Sequence, residues 1–144
     1  MPYSTIAVAL ACKPDEKPVI DEAVRLSRAL GARLVAIHVN DPLEGKISMM
    51  MDYAGPKETV EDIRQQFREA GYPDVAETLD VHILTGKDFA EAIAEATKDA
   101  DLLVLGHRKM GRLRAMISDS TDEDIANLVE CPVLIVTKNP TEAD

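Results

Sequence analysis

The stretch DLLVLGHRKMGRLRAMISDST, residues 101–121, runs from a short apolar segment through a basic loop to the start of a helix. DLLVLG has the length and composition of a strand buried on both faces, as in the interior of a parallel sheet. Glycines and hydroxyls then come close to a helix start, which is how backbone cradles for phosphate are built. Two features do not fit that use. Four bases, Arg108, Lys109, Arg112 and Arg114, come first, and Asp119, Asp122, Glu123 and Asp124 crowd the helix start.

Outward from this stretch the pattern of strand, loop and helix repeats. TIAVALA (5–11) reads as a first buried strand, and the polar, two-proline linker CKPDEKP (12–18) separates it from a helix. In VIDEAVRLSRALGA (19–32), Ile20, Ala23, Val24, Ser27 and Leu30 recur at helical spacing, and Gly31 sits where a left-handed cap ends the helix. RLVAIHV (33–39) is a second strand. A long polar connection follows, and its methionines at 49–51 read as a core plug or flap. Val60, Ile63, Phe67 and Ala70 then form one helical stripe ending at Gly71.

LDVHILTG (79–86) alternates like a strand, and KDFAEAIAEATKDA (87–100) is a helix led by Asp88 with Glu91 three residues on. Past the basic loop, Ile125, Leu128 and Val129 mark a short helix, and PVLIV (132–136) is a last strand opened by a proline. Strands alternating with helices require crossover connections, so the expected fold is α/β, with a mostly parallel sheet covered on both faces.

A chain of 144 residues, 46% of them hydrophobic, suits one domain spanning 1–144 with a real core. A net charge of −10 argues against nucleic-acid and anionic-membrane partners. Aromatic residues make up only 3%, which leaves no stacking platform for single strands. With no apolar run near the roughly 18 residues of a membrane span and no signal-peptide pattern, the expected location is cytoplasmic. Two cysteines, Cys12 and Cys131, imply reduced thiols rather than a disulfide framework, with a redox role as a weaker option.

In open α/β sheets ligands bind beyond the carboxyl ends of the strands. Here those positions are Ala11 and Cys12, His38 and Val39, Thr85 and Gly86, and 106–108. The first strand IAVALA, the helix exit GARLVAIHV and the final CPVLIV together resemble the universal stress protein family over nearly the whole chain. The resemblance implies a flavodoxin-like or Rossmann-like open five-stranded parallel sheet, and a homodimer paired through the last strand at Pro132, Val133, Leu134, Ile135 and Val136. One branch of that family binds ATP through the pattern G-x2-G-x9-G-[ST]; the A-type branch has lost the pattern and does not bind ATP.

Laid on this sequence, the first glycine is Gly106 and the terminal hydroxyl is Ser120, with the spacing intact. Lys109 and Asp119 replace the other two glycines, and Ala11 stands where the ATP-binding branch has an acid. A carboxylate in the first helical turn stabilises the dipole by roughly 0.3 to 1 kcal/mol and repels a triphosphate from the same place. Ser120 and Glu123 form a capping box, which gives the hydroxyl a structural role. The resemblance to the A-type branch therefore implies a non-enzymatic, interacting protein with no cofactor. The alternative is an ATP- or AMP-binding sensor with at most slow hydrolysis. In it Val39 and Gly106 meet base and ribose beside Ala11, and His107, Arg108, Lys109, Ser120 and Thr121 hold phosphates. The four bases either clamp phosphate or pair with the acids that follow them.

Cys12, His38 and His107 lack metal-ligand spacing, and no metal is expected. Nor is there a nucleophile elbow or a residue pair adjacent in sequence for catalysis.

Overall fold

Ten elements alternate along the residues that the computed structural model describes, which are 3–10, 16–40, 58–85, 89–106 and 122–137. The strands are β1 (Thr5–Ala9), β2 (Arg33–Asn40), β3 (Asp80–Thr85), β4 (Leu102–Gly106) and β5 (Val133–Val136). The helices are α1 (Lys17–Leu30), α2 (Val60–Glu69), α3 (Pro73–Thr78), α4 (Phe89–Ala96) and α5 (Asp122–Leu128). All strand pairs are parallel, and the order is β3-β2-β1-β4-β5. The sheet is the expected open five-stranded one, and it takes the 3-2-1-4-5 order of the Rossmann-like arrangement.

Alternate residues from β1 through Leu10, just past its end, supply two separate cores. Ile6, Val8 and Leu10 pack with α1, α2 and α3 through Val19, Ile20, Ala23, Val24, Ile63, Phe67 and Ala76. Ala7 and Ala9 face the opposite layer, where Ile93 of α4 and Ile125 of α5 pack with Leu103 and Leu105. Helices therefore cover both faces, as strands with no polar positions require. Phe67 is completely enclosed, a burial worth roughly 1.5–3 kcal/mol.

The helix ends follow their local chemistry. Pro18 lies in the first turn of α1, where a missing N–H costs nothing. Gly31 ends that helix at φ 65°, and the Ala32 N–H donates to the Ser27 carbonyl at 3.0 Å. Leu30 is exposed rather than part of the buried stripe, because α1 has there run past its contacts at Val19, Ile20, Ala23 and Val24. Val60 and Leu128, expected on apolar faces, are exposed at the first and last residues of their helices. α2 opens with a capping box. The Thr59 hydroxyl accepts from the Asp62 N–H at 3.2 Å, and the Asp62 carboxylate accepts from the Thr59 N–H at 2.9 Å. The one-turn α3 has no counterpart in the sequence reading. It is too short for periodicity to reveal, although Pro73 at its start marks it.

α1 is tied at the surface to Tyr72, between α2 and α3, and to Asp74 of α3, and Lys17 braces the shared Asp21 from within α1. The Tyr72 hydroxyl donates to Asp21 Oδ1 at 2.7 Å, Lys17 reaches Asp21 Oδ2 at 2.9 Å, and Arg28 pairs with Asp74 at 3.1 Å. Such exposed pairs are worth roughly 0 to 1 kcal/mol each.

At the amino ends of the strands, Asp101 stitches β1 to β4. Its Oδ2 accepts from the Ser4 N–H at 2.8 Å and from the Thr5 N–H at 2.9 Å, while its own N–H donates to the Thr5 carbonyl at 2.8 Å. The backbone N–H groups of Thr5 and Ser4 hold the carboxyl below its ordinary 3.8. A group whose value is lower in the folded state contributes stability that is fully present above the unfolded value and is lost as pH falls through the folded one. Asp101→Asn keeps the shape without the charge. It is expected to melt at a lower temperature at neutral pH and to lose less on acidification from about pH 5 to pH 2. Thermal melts across that range test it, and an acid limb identical to that of the native chain would contradict the role assigned to the carboxylate.

Candidate functional site

The order 3-2-1-4-5 places the reversal of the sheet between β1 and β4. From β1 the chain travels through α1 to β2 on one side, and from β4 it travels through α5 to β5 on the other. α1 belongs to one core and α5 to the opposite one, so the two helices diverge from neighbouring strand ends on opposite faces. In open α/β sheets, ligands are held at such a point of divergence. The register pairs Ala9 with Leu105, which sets Leu10 beside Gly106 at the rim.

Gly106 has a packing reason to be glycine. A Cβ built on it would lie 3.0 Å from Cγ2 of Val19, in the first turns of α1. The bare backbone lets the start of α1 lie close over the end of β4. The first glycine of the loop pattern thus also serves a close helix–sheet contact. Nothing in the sequence marked this, because Val19 and Gly106 are distant in the chain.

Val39, read as a base contact, is buried, and its side chain packs in the core beneath α4 and α5. Only its backbone, one residue from the end of β2, lies near the rim. His38 is buried on the other face, its Nδ1 2.8 Å from the Leu10 carbonyl. His82 is instead exposed on the edge strand β3.

Ala11, His107, Arg108, Lys109, Ser120 and Thr121 lie outside the described residues, as do Cys12, Arg112, Arg114, Asp119 and the methionines at 49–51. Of the nucleotide-site positions expected from sequence, the structure therefore places Val39 and Gly106, on strands β2 and β4 on either side of β1. Among the described residues, no three His, Cys, Asp or Glu side chains come together in a way that could hold a metal ion. No helix among them is long and apolar enough to cross a membrane. Cys131 packs against the α4 and α5 core, and burial pushes its thiol above the ordinary value, which disfavours the reactive thiolate.

An open, all-parallel five-stranded α/β sheet in the order 3-2-1-4-5 defines a Rossmann-like fold. The model of the universal stress protein family matches residues 2–137. Universal stress protein A of Salmonella typhi is 30% identical over 145 residues, covering 94% of this chain and 95% of that protein. A solved universal stress protein in complex with cAMP superimposes with a TM-score of 0.66 at 18% identity, covering 95% of this chain and 98% of that one. A universal stress protein from Archaeoglobus fulgidus in complex with dAMP gives 0.56 at 21% identity, with 94% and 99% covered. The chain belongs to the universal stress protein family.

Gly106→Ala is expected to destabilise by about 1 kcal/mol, the low end of overpacking, because Val19 must yield a few tenths of an ångström. Val19→Ala in the same chain relieves the contact, so urea denaturation of the two single variants and the double variant yields a coupling of about 0.5 kcal/mol or more. Strict additivity would show that the close approach carries no energy.

Proposed function

We propose that this chain is a non-enzymatic, cytoplasmic stress-response protein. It works as a homodimer through β5 and acts by contact with other proteins, and its nucleotide loop has lost its phosphate chemistry. The observation that carries this reading is the outer side of β5. That strand ends the sheet and is paired on its inner side with β4, yet Leu134 and Ile135 are each 36% exposed. Their register with Val104 and Leu105 puts one on each face of the sheet. An apolar edge strand is a template for another strand, and a two-fold pairing with its own copy removes the edge. Pro132 precedes the strand, and Val133 and Val136 pack, partly buried, against the two cores.

The changed loop chemistry supports the same reading. Lys109 and Asp119 stand at two glycine positions, and Ala11 stands at the position of the acid. Side chains at the glycine positions prevent close backbone approach to a phosphate, and an added carboxylate repels it.

Leu134→Lys is expected to convert a dimer into a monomer in light scattering, with the fold retained by circular dichroism. Calorimetry with ATP and with AMP is expected to show no heat. A variant that stays dimeric removes β5 from the interface.

A second reading, an adenine-nucleotide sensor, draws on the two related structures in complex with cAMP and dAMP. In it Ala11, Val39 and Gly106 surround base and ribose at the point of divergence, and His107, Arg108, Lys109, Ser120 and Thr121 hold phosphate. With three Tyr and no Trp the protein absorbs weakly in the near ultraviolet. A co-purified adenine would dominate that spectrum and establish this reading over the first.

A further inference from the structure

The buried polar side chains among the described residues are His38, Asn40 and Thr97. Thr97 is satisfied within its own helix, its hydroxyl donating to the Ile93 carbonyl at 2.9 Å. The other two reach out of their own strand. They stand on alternate positions at the carboxyl end of β2 and therefore on one face. His38 meets the Leu10 carbonyl, the first residue past β1, at 2.8 Å. Asn40, only 3% exposed, meets Glu58 twice. Its Nδ2 donates to the Glu58 carbonyl at 3.2 Å, and its Oδ1 accepts from the Glu58 N–H at 3.1 Å.

We propose that the carboxyl ends of β1 and β2 and the start of α2 form one rigid rim, in which Asn40 is the positioning residue. Its side-chain amide clasps the backbone of Glu58 and fixes where α2 begins. A carboxamide presents one donor and one acceptor side by side, the same pair that Glu58 offers in reverse. Flipping the amide would set donor against donor and acceptor against acceptor, so the clasp has one orientation. The next residue, Thr59, is fixed by the capping box, so successive residues at the head of α2 are held by side chains from two directions. His38 carries the restraint across to the end of β1.

Amide hydrogen exchange read by NMR on the full chain tests this. In the native protein the Glu58 amide, which precedes the helix, is expected to exchange about 100-fold slower than an unprotected amide. Asn40→Ala is expected to accelerate Glu58 at least about tenfold while Ile63 and Phe67 change less than about threefold, a local opening that general destabilisation would not produce. Asn40→Asp keeps the acceptor and loses the donor. Its Glu58 amide, normalised to Phe67, is expected to exchange more slowly than in Asn40→Ala. The proposal is overturned if Glu58 is unprotected in the native chain, a measurement that needs no variant to fold. It is also overturned if Asn40→Ala leaves Glu58 unchanged or moves it only in step with Ile63 and Phe67.

Discussion

Burial of β1 on both faces is the constraint from which the remaining structure follows. Ile6, Val8 and Leu10 need one helical layer and Ala7 and Ala9 need another, since none of them has a polar face to give to water. A strand of this kind is stable only in the interior of a sheet with helices above and below it. Large residues meet α1 directly, and the alanines leave room for Leu103, Leu105 and the branched side chains of α4 and α5. Each large β1 side chain fully withdrawn from water is worth roughly 1.5–3 kcal/mol, more than any exposed ion pair on this surface.

The central place of β1 also sets the point of divergence. Once β2 and β3 lie on one side of it and β4 and β5 on the other, the helices leaving β1 and β4 must diverge. Gly106 stands at that divergence and serves packing there, by admitting Val19. Buried polar groups at the neighbouring strand ends are each paired across elements, His38 with Leu10 and Asn40 with Glu58. An unpaired polar group there would cost about 1–3 kcal/mol, so these contacts hold the strand ends in place rather than decorating them. The opposite end of the sheet is held by Asp101 on the N–H groups of Ser4 and Thr5. A fold pinned at both ends leaves its chemical variation to the connections between elements.

Much of the architecture was legible in the sequence because its elements announce themselves locally. Apolar runs such as DLLVLG and TIAVALA carry their burial in their composition, and Gly31 and Gly71 mark helix ends by the positive φ they adopt. The failures were also local in origin. Leu30, Val60 and Leu128 have helical spacing but sit at helix termini, where periodicity continues although the packing surface does not. Of the site, the family's loop pattern laid on the sequence puts Gly106 at its first position and Lys109, Asp119 and Ala11 where the binding branch has glycines and an acid.

By itself, then, the sequence determined the class of fold, the alternation of strands and helices, and the departures of the loop from a phosphate-binding pattern. These rest on side-chain type and spacing, which a linear chain carries explicitly. Only the tertiary structure decided the strand order, the packing reason for Gly106, and the clasp between Asn40 and Glu58. Each of these joins residues far apart in the chain: Val19 with Gly106, Asn40 with Glu58, and Asp101 with Ser4. Periodicity encodes which face of an element is buried, but not which distant group will lie in contact with it once the sheet has closed.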